Sequence, residues 1–600
     1  MILKVPVSIN FSRRSFMKDL VYFSTATFCS SFFLSCTNAK NNVFGAGKLA
    51  SPQFKDVTIA GDLLLRAQRN FDRLHDPIFR YKNIADHTLK DPYPGDFLGR
   101  TVLGLVQLTQ VLKQEPLYLD EIIERFPNEL INEKGYTGKV LKNGFYDEIQ
   151  ITGHQFFLRG LCELYLWKKE DTIRNIIEST VKNMMIPLAT DINSYPLQDE
   201  RQNLKMGGAV AMDAGLVENW QLSTDTCQLF MVLDGLTQVY QLFPSEELGR
   251  AIEQIFDFYS QIDLLKIKAQ THSTLSASRG LLRFYELTGN VKYLNFVKRI
   301  FVDYKEHAMT ENYENFNWFG RPEHTEGCAV IDAFLLAVEL WKSTGQLHYL
   351  NDAHLIYYNG VQHNQWTNGG YGVNSCVGPA RNVSLTHKVE ATWCCTMRGS
   401  EGLAKAGQYN YFYDQDNIYL PFYHNGSALL RFKEGELQLR LESSYPEKGD
   451  IRLSILNSSL ERNKKVHFFI PEWIDQLSIK IKSGGKQVNG KMKDGFFSFM
   501  LIPGNKEVVT ITFDVKFYKK VPHHEEVRSG YIKYFHGPLL LGYAGEKEIK
   551  ISKHEEFRST KGPVSYKSQS GILLKPLNTL KFGNVTEQKN ASFQFLFQEM

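Results

Sequence analysis

The sequence predicts an α+β multidomain protein, an (α/α)6 helical toroid followed by a C-terminal β-sandwich. Between residue 56 and about residue 411, apolar residues recur at intervals of three and four, as they do in amphipathic helices. From residue 412 onward the apolar runs become short and alternating. Turn pairs such as Asn425-Gly426 and Gly484-Gly485 separate these runs, and this pattern is typical of a sandwich.

Internal repeats indicate how many helical units the first part contains. Arg159-Gly160-Leu161 recurs as Arg279-Gly280-Leu281, and Thr288-Gly289 recurs as Thr344-Gly345. A unit of about 60 residues with two helices therefore repeats along the chain. The window 50–410 has room for about six such units. Six helical hairpins closed into a ring form a toroid, although an open helical solenoid follows the same packing logic.

The first 35 residues are predicted to be an export signal. The pair Arg13-Arg14 lies in a stretch typical of the twin-arginine route, and an apolar run extends from Leu20 to Leu34. Ser35-Cys36 then resembles the lipobox of bacterial lipoproteins, in which the cysteine is lipidated. An ordinary signal peptide cut nearby and a short buried helix are the alternatives. We expect a periplasmic or outer-membrane location, with the membrane contacted only through a lipid on Cys36.

The remaining chain divides into four predicted segments. Residues 36–55 are a tether, residues 56–411 the helical domain and residues 412–545 the sandwich. Residues 546–600 are either an extension of the sandwich or a return over the helical domain. With 22% charged residues and a net charge of +4, the chain lacks the basic character of nucleic-acid-binding proteins, so no nucleic-acid partner is expected.

The most distinctive chemistry lies in two tight clusters near the end of the helical domain. Glu326 and Cys328 are two residues apart, and Cys394 and Cys395 are adjacent. Three thiols and one carboxylate make a complete tetrahedral ligand set for Zn²⁺. Adjacent cysteines rarely form a disulfide with each other, because the bond needs a specific separation and torsion. The alternative is that all three are buried free cysteines.

A helical toroid followed by a sandwich, with Glu-x-Cys and then Cys-Cys, resembles glycoside hydrolase family 127, the β-L-arabinofuranosidase-like enzymes. Residues 321–403 carry the most specific part of this resemblance. It implies an exported retaining glycoside hydrolase with a carbohydrate substrate. It also implies that Glu326, Cys328, Cys394 and Cys395 bind zinc, and that Cys394 is the nucleophile.

The resemblance further implies residues around the sugar. A glutamate upstream of Glu-x-Cys would be the acid/base, and Glu314 fits better than Glu311 because Glu314-Asn315-Phe316 keeps an acid–small–aromatic pattern. Asp225 lies where the family usually has Gly-His-Glu-Glu. The candidates for substrate contact are His154, His272, Tyr371 and Asp225.

The sequence departs from the family at two further places. Glu-Gly-Cys replaces the usual Glu-Thr-Cys, and Thr396-Met397-Arg398 replaces Pro-Pro-Asn. A histidine near a helix start can also simply cap that helix. Two other functions stay open, because a fold alone does not fix an activity. One is a glycan-binding lipoprotein with a structural zinc, and the other is a toroid-type polysaccharide lyase with no metal-bound nucleophile.

Overall fold

The computed structural model describes residues 49–90, 92–197, 207, 212–377, 384–488, 490–502, 508–545, 547–579 and 592–600. The predicted signal, Cys36 and most of the tether lie outside these residues. The last part of the tether is ordered, because Leu49 and Phe54 are buried in the core. None of the described helices combines the length and the apolar character that a membrane crossing requires.

Helices dominate the chain up to residue 408. Their bounds are α1 Gly61–Arg73, α2 Tyr81–Lys90, α3 Asp96–Leu112, α4 Leu119–Glu129, α5 Glu148–Lys168, α6 Asp171–Thr180, α7 Ile186–Thr190, α8 Val232–Leu242, α9 Glu246–Tyr259, α10 Thr271–Thr288, α11 Val291–His307, α12 Gly327–Thr344, α13 Leu347–Ile356, α14 Gln362–Asn364, α15 Cys395–Gln408 and, near the C-terminus, α16 Glu525–Arg528.

Six of the described helices form an inner ring, in which each packs against the next: α3, α5, α8, α10, α12 and α15. The ring closes because α15 also packs against α3. An outer helix alternates with each inner one along the chain, namely α1, α4, α6, α9, α11 and α13. The inner helices are buried on nearly every side, as expected for helices enclosed by others. The predicted toroid is confirmed, and ring closure excludes the open solenoid.

The repeated Arg-Gly pair marks contacts between inner helices. A Cβ atom on Gly160 would lie 2.3 Å from the carbonyl oxygen of Gly99, and one on Gly280 would lie 2.5 Å from that of Leu233. Only glycine allows the backbones of neighbouring inner helices to approach so closely. The close contact between neighbouring inner helices therefore explains why the Arg-Gly pair repeats in the sequence.

Strands form the rest of the molecule. Their bounds are β1 Val57–Ile59, β2 Tyr146–Asp147, β3 Asp213–Val217, β4 Trp220–Ser223, β5 Phe316–Trp318, β6 Arg321–Thr325, β7 Gly372–Val377, β8 Ser384–Glu390, β9 Phe412–Tyr413, β10 Asn417–Leu420, β11 Gly426–Phe432, β12 Gly435–Ser443, β13 Gly449–Ser458, β14 Lys464–Phe469, β15 Lys480–Ser483, β16 Lys486–Gln487, β17 Lys491–Lys493, β18 Phe496–Leu501, β19 Val508–Phe513, β20 Phe517–Lys520, β21 Tyr531–His536, β22 Leu539–Ala544, β23 Lys550–Ile551, β24 Phe557–Ser559, β25 Tyr566–Ser568, β26 Leu573–Pro576, β27 Ser592–Gln594 and β28 Phe597–Glu599.

Two sheets form the sandwich that follows the toroid. One has the order β1-β11-β12-β13-β19-β15-β16, and the other has the order β17-β18-β14-β10-β9. Their inner faces share aromatic packing. The ring of Tyr423 lies 5.9 Å from that of Phe468 in the second sheet and 6.4 Å from that of Phe513 in the first. Alternating burial along β12 and β13 places one face of the first sheet in this core.

A third large sheet departs from the predicted domain boundaries. Strands β20–β22, which were assigned to the sandwich segment 412–545, pair with the C-terminal strands instead. Through β27 this sheet also joins β5–β8, which lie between toroid helices: Ser592 pairs with Thr386. The C-terminal residues thus return over the helical domain. A sequence pattern identifies a strand but not the strand with which it pairs. The pairing of these distant strands could therefore not be predicted from the sequence.

The variant Gly160→Ala tests the close helix contact. We expect a loss of about 3 kcal/mol in the free energy of unfolding, because the new methyl group meets backbone that cannot move aside. Urea denaturation would measure it. Gly249→Ala on α9 is the control. Its new Cβ atom would lie 3.3 Å from a ring atom of Tyr240, which is its nearest neighbour outside the helix backbone. This variant should lose little, and equal losses in both would contradict the packing argument.

Candidate active site and metal centre

Two inner helices, α12 and α15, begin next to each other. Glu326 directly precedes α12 and Cys328 is in its first turn, whereas Cys394 directly precedes α15 and Cys395 is its first residue. The ligand atoms of these four side chains all lie within 4.8 Å of one another. The structure therefore brings together the complete predicted ligand set, from positions more than sixty residues apart.

The donor set fits a zinc ion. The Sγ atom of Cys395 lies 3.4 Å from that of Cys328 and 3.4 Å from that of Cys394. Sulfurs bound tetrahedrally at about 2.3 Å would be about 3.8 Å apart, so a small expansion suffices. The Oε2 atom of Glu326 is buried and has no hydrogen-bond partner among the described residues. A cation at the centre of the cluster would satisfy it.

The surroundings of the cluster are electropositive. The N-termini of α12 and α15 both point their positive dipole ends at the thiols, which favours thiolates. Arg100 of α3 places Nη1 3.7 Å from Sγ of Cys328. Without a cation, burial raises the pKa of Cys328 and Cys395, and the adjacent Cys328 thiol raises that of Cys394. A bound metal would remove these protons.

Gly327 accounts for one departure from the family pattern. A Cβ atom at this position would lie 3.1 Å from Cβ of Cys395 and 2.6 Å from Oδ1 of Asn364. The two helix starts are therefore too close for the larger residue that usually follows the glutamate. Glu-Gly-Cys suits the metal cluster of this chain and does not weaken it.

The cluster forms part of the wall of a cavity of about 400 Å³. Aromatic and apolar side chains supply much of the lining, including Tyr93, Phe97, Met231 and Trp393, as is common in ligand-binding cavities. Five of the predicted site residues also line the cavity: Asp225, His272, Glu326, Cys394 and Cys395. Cys394 is partly exposed, whereas Cys328 and Cys395 are buried. Cys394 is therefore the most accessible thiol of the cluster.

His272 connects the metal cluster to the interior of the ring. Its Nδ1 atom lies 3.4 Å from Oε1 of Glu326, and its Nε2 atom lies 3.2 Å from Oδ2 of Asp332. Burial lowers the pKa of His272, but the two carboxylates outweigh burial and the net shift is upward. His272 can thus orient Glu326, while its ring forms part of the cavity wall.

Asp225 is a buried carboxyl group in the cavity wall. It accepts hydrogen bonds from Nε1 of Trp318 at 3.1 Å and from Nε2 of Gln270 at 2.8 Å. Burial, together with the negative charge of Glu326, raises the pKa of Asp225 to about 7. A carboxyl group with such a pKa exchanges protons readily near neutral pH.

The structure places His154 outside the cavity lining, which corrects its predicted contact with substrate. Its Nδ1 atom lies 2.7 Å from the carbonyl oxygen of Gln150, and its Nε2 atom lies 3.2 Å from the backbone nitrogen and 3.0 Å from Oγ1 of Thr137. Both ring nitrogens are therefore used inside the protein. His154 is therefore a structural residue, but it does not cap the helix as the alternative expected, because the N-cap of α5 is Asp147.

Tyr371 and Glu314 are not among the described residues that line the cavity. Tyr371 is buried, and its ring packs against Gly399 of α15, where a Cβ would lie 2.2 Å away. Both carboxylate oxygens of Glu314 accept hydrogen bonds from Nδ2 of Asn374, at 3.0 and 2.9 Å. Sequence spacing located Glu314 near the site but could not show which way its side chain points.

Glu311, the other candidate for the acid/base, is held in a separate buried cluster. Nζ of Lys533 lies 2.6 Å from its Oε2 atom, and Nδ1 of His523 lies 2.9 Å from the same oxygen. Although burial opposes it, Lys533 holds the pKa of Glu311 well below its usual range. A general acid needs the opposite shift, so Glu311 is not suited to that role.

Sequence reasoning missed several polar residues of the site. Asp96 and Arg100 form an ion pair at 2.8 Å in the cavity wall, on a helix that has no other charged residue. Asp332 contacts His272, with its Oδ2 atom 3.2 Å from Nε2 of the histidine. The charged pair in α3 and the single acid in the apolar run 328–338 of α12 were signals that could have revealed them, because buried charges need partners.

Comparison with known proteins agrees with the resemblance drawn from the sequence. Residues 417–515 match the family described as β-L-arabinofuranosidase, GH127 middle domain. No curated protein with a matching sequence was found. Among solved structures, a GH127 β-arabinofuranosidase superposes with a TM-score of 0.68 at 13% identity, covering 92% of this chain and 98% of the other. The resemblance to glycoside hydrolase family 127 is confirmed.

Two further structures support the same fold. A GH127 β-L-arabinofuranosidase from Geobacillus stearothermophilus T6 gives a TM-score of 0.66 at 12% identity, covering 91% of this chain and 100% of the other. A protein described as a glycoside hydrolase gives a TM-score of 0.67 at 14% identity, with coverage of 92% and 98%. At these identities the likeness establishes the family 127 fold, toroid and sandwich together.

The pH dependence of stability tests the structural role of His154. Burial lowers the pKa of His154 to about 4. Below pH 6.5 the unfolded chain therefore binds a proton at this residue, whereas the folded chain does so only near pH 4. Between pH 7 and pH 5 this histidine should cost about 2 kcal/mol of stability. His154→Gln should lose that component when urea denaturation is measured at both pH values.

The exposed His554 provides a control for the substitution itself, since His554→Gln replaces a histidine on the surface of the protein. Parallel pH profiles for the wild type and His154→Gln would show that His154 is not buried as described.

Proposed function

We propose that this chain is a retaining glycoside hydrolase that acts on β-L-arabinofuranosides or closely related glycans, with Cys394 as its nucleophile. The observation that carries the proposal is the position of Cys394, the partly exposed thiol of a four-donor cluster in the wall of a cavity. The fold shared with β-arabinofuranosidases supports the choice of substrate.

Glu326, Cys328, Cys394 and Cys395 would hold a zinc ion, whose chemical contribution when bound is to keep the thiols ionised at neutral pH. The Cys394 sulfur would attack the anomeric carbon while an acid protonates the leaving oxygen, and the glycosidic C–O bond breaks. Water, deprotonated by the same residue acting as a base, would then attack the anomeric carbon and release the Cys394 thiolate. Two displacements retain the configuration.

The cavity suits this chemistry better than the two alternatives. A binding protein with a purely structural metal has no need of a ligand thiol exposed to its cavity. A lyase needs a base beside an acidic sugar but no metal-bound nucleophile, whereas the lining here contains an accessible sulfur of the four-donor cluster. The aromatic side chains around the cavity, such as Tyr93 and Trp393, suit the apolar faces of a sugar ring.

Substitution of the cluster cysteines tests the metal and the nucleophile together. We expect about one zinc per chain in the wild type by elemental analysis, and turnover in a screen of aryl furanosides and pyranosides. Cys328→Ser should lose most of its zinc, and Cys394→Ser should lose activity by on the order of 10³-fold or more.

Cys162 offers a matched control, because it is buried in α5 and lies outside the cluster. Cys162→Ser should retain zinc and activity. Full activity in Cys394→Ser, or a wild type free of zinc after expression in zinc-containing medium, would refute the proposal. An ultraviolet-absorbing unsaturated product would favour the lyase.

We also propose that the protein is exported by the twin-arginine route and anchored through a lipid on Cys36. This rests on the sequence alone, since these residues lie outside those the structure describes. In a bacterial host, mass spectrometry should find a lipid-modified Cys36 at the mature N-terminus in the membrane fraction. Cys36→Ala should release the protein from the membrane, and the control Cys29→Ala should not. A soluble wild type cut at another residue would contradict the anchor.

A further inference from the structure

A second cavity lies where the toroid, the sandwich and the C-terminal sheet meet. This junction cavity has a volume of about 350 Å³, and its described lining residues include none of those at the metal cluster. The toroid contributes α1 and the segment after α13, the sandwich the loops before β11 and after β12, and the C-terminal sheet β22 and β26. Asp62, Glu447 and Pro563 in the lining are exposed, so a ligand can enter from the surface.

Three polar groups of the junction cavity lack hydrogen-bond partners. Tyr423 is 1% and His424 is 8% exposed, and neither the Tyr423 hydroxyl nor Nε2 of His424 bonds to any described residue. Oδ1 of Asn578 is also buried without a partner among these residues, although its amide nitrogen donates to Oε1 of Gln362 at 2.5 Å. Such groups are rare, because burial deprives them of water. Their convergence on one cavity indicates a bound molecule that supplies the missing hydrogen bonds.

Three tyrosine rings give the junction cavity an aromatic wall. The ring of Tyr445 lies 5.3 Å from that of Tyr423 and 5.9 Å from that of Tyr358, both edge to face. Nε1 of Trp473 donates to Oη of Tyr445 at 3.0 Å, which fixes the orientation of this ring. Leu539 adds an aliphatic side chain to the lining. This wall suits the C–H faces of a sugar ring, whereas water needs polar partners.

The charges at the junction cavity favour a neutral ligand. Nε of Arg66 lies 2.7 Å from Oδ2 of Asp62, so the one arginine of the described lining is already paired. Burial lowers the pKa of His424 to about 4, and its ring is therefore neutral at neutral pH. Glu447, the other acid of the described lining, is exposed to solvent. A hydroxyl-rich molecule fits best, because each hydroxyl can both donate and accept a hydrogen bond.

We propose that the junction cavity is a noncatalytic binding site for a neutral saccharide, namely a sugar unit of the glycan on which the enzyme acts. Its volume lies at the lower end of the roughly 300–1,000 Å³ common for small-molecule cavities, which suits one or two sugar rings. Tyr423 donates its hydroxyl hydrogen to a sugar oxygen, and Asn578 accepts from a sugar hydroxyl. The choice of sugar rests on the proposed function, whereas the cavity and its unpartnered groups do not.

Calorimetric titration of the zinc-loaded full chain tests this site. The probes are free L-arabinose and a linear α-linked arabinotetraose, whose linkages the proposed β-specific activity leaves intact. We expect Tyr423→Phe to weaken one class of binding site by about tenfold, the effect of losing one hydrogen bond. His424→Phe, which keeps an aromatic ring, should do the same. Neither variant should change kcat for an aryl β-L-arabinofuranoside, because neither residue lines the catalytic cavity.

Tyr304→Phe on α11 is the matched control. The hydroxyl of Tyr304 is also buried without a partner among the described residues, but Tyr304 lines neither cavity. This variant should titrate like the wild type. Weakened binding of the tetraose alone would assign the site to the glycan chain, and weakened binding of L-arabinose as well would assign it to a single sugar unit.

The proposal is overturned if the wild type binds neither probe, or if Tyr423→Phe and His424→Phe bind both probes as tightly as the wild type does. An equal loss in Tyr304→Phe would also overturn it. A wild type that turns over no aryl glycoside would instead refute the proposed function. The titration does not depend on turnover, so the two failures are distinguishable.

Discussion

The inner ring of helices converges on one buried carboxylate, Glu401 of α15. It receives Arg159 from α5 at 2.6 Å, Arg279 from α10 at 3.2 Å and Arg398 from its own helix. All four side chains are almost fully buried, and removing one member of such a group would leave uncompensated charge at a cost of several kcal/mol. The ring therefore depends on charged side chains from α5, α10 and α15 meeting in its interior.

The same charges position the site. Arg279 and Arg398 both bind Asp332, and Asp332 in turn lies 3.2 Å from Nε2 of His272. His272 reaches Glu326 with its other nitrogen, so a continuous chain of contacts runs from the axis of the toroid to the metal cluster. A side chain held from both ends is pre-organised, and pre-organisation is what an electrostatic site needs.

The glycine at each inner-helix contact has a second consequence for the site. Because Gly160 and Gly280 let backbones touch, the inner helices bring their N-termini close together around the cavity. In the same way, Gly327 allows the start of α12 to lie close to the start of α15. The positive ends of two helix dipoles and Arg100 then face three thiols. The close packing of the inner helices is therefore also what brings positive charge to the thiols of the cluster.

The sequence by itself determined the toroid, the sandwich and the two local pairs of the donor cluster, Glu326 with Cys328 and Cys394 with Cys395, because helical period, strand alternation and ligand spacing are local properties of the chain. It also located Asp225 and His272. Only the tertiary structure decided that His154 and Tyr371 are internal, that Glu314 is bound to Asn374, and that the C-terminal strands join β5–β8. Side-chain direction and strand pairing depend on residues far apart in the chain, which local patterns do not encode.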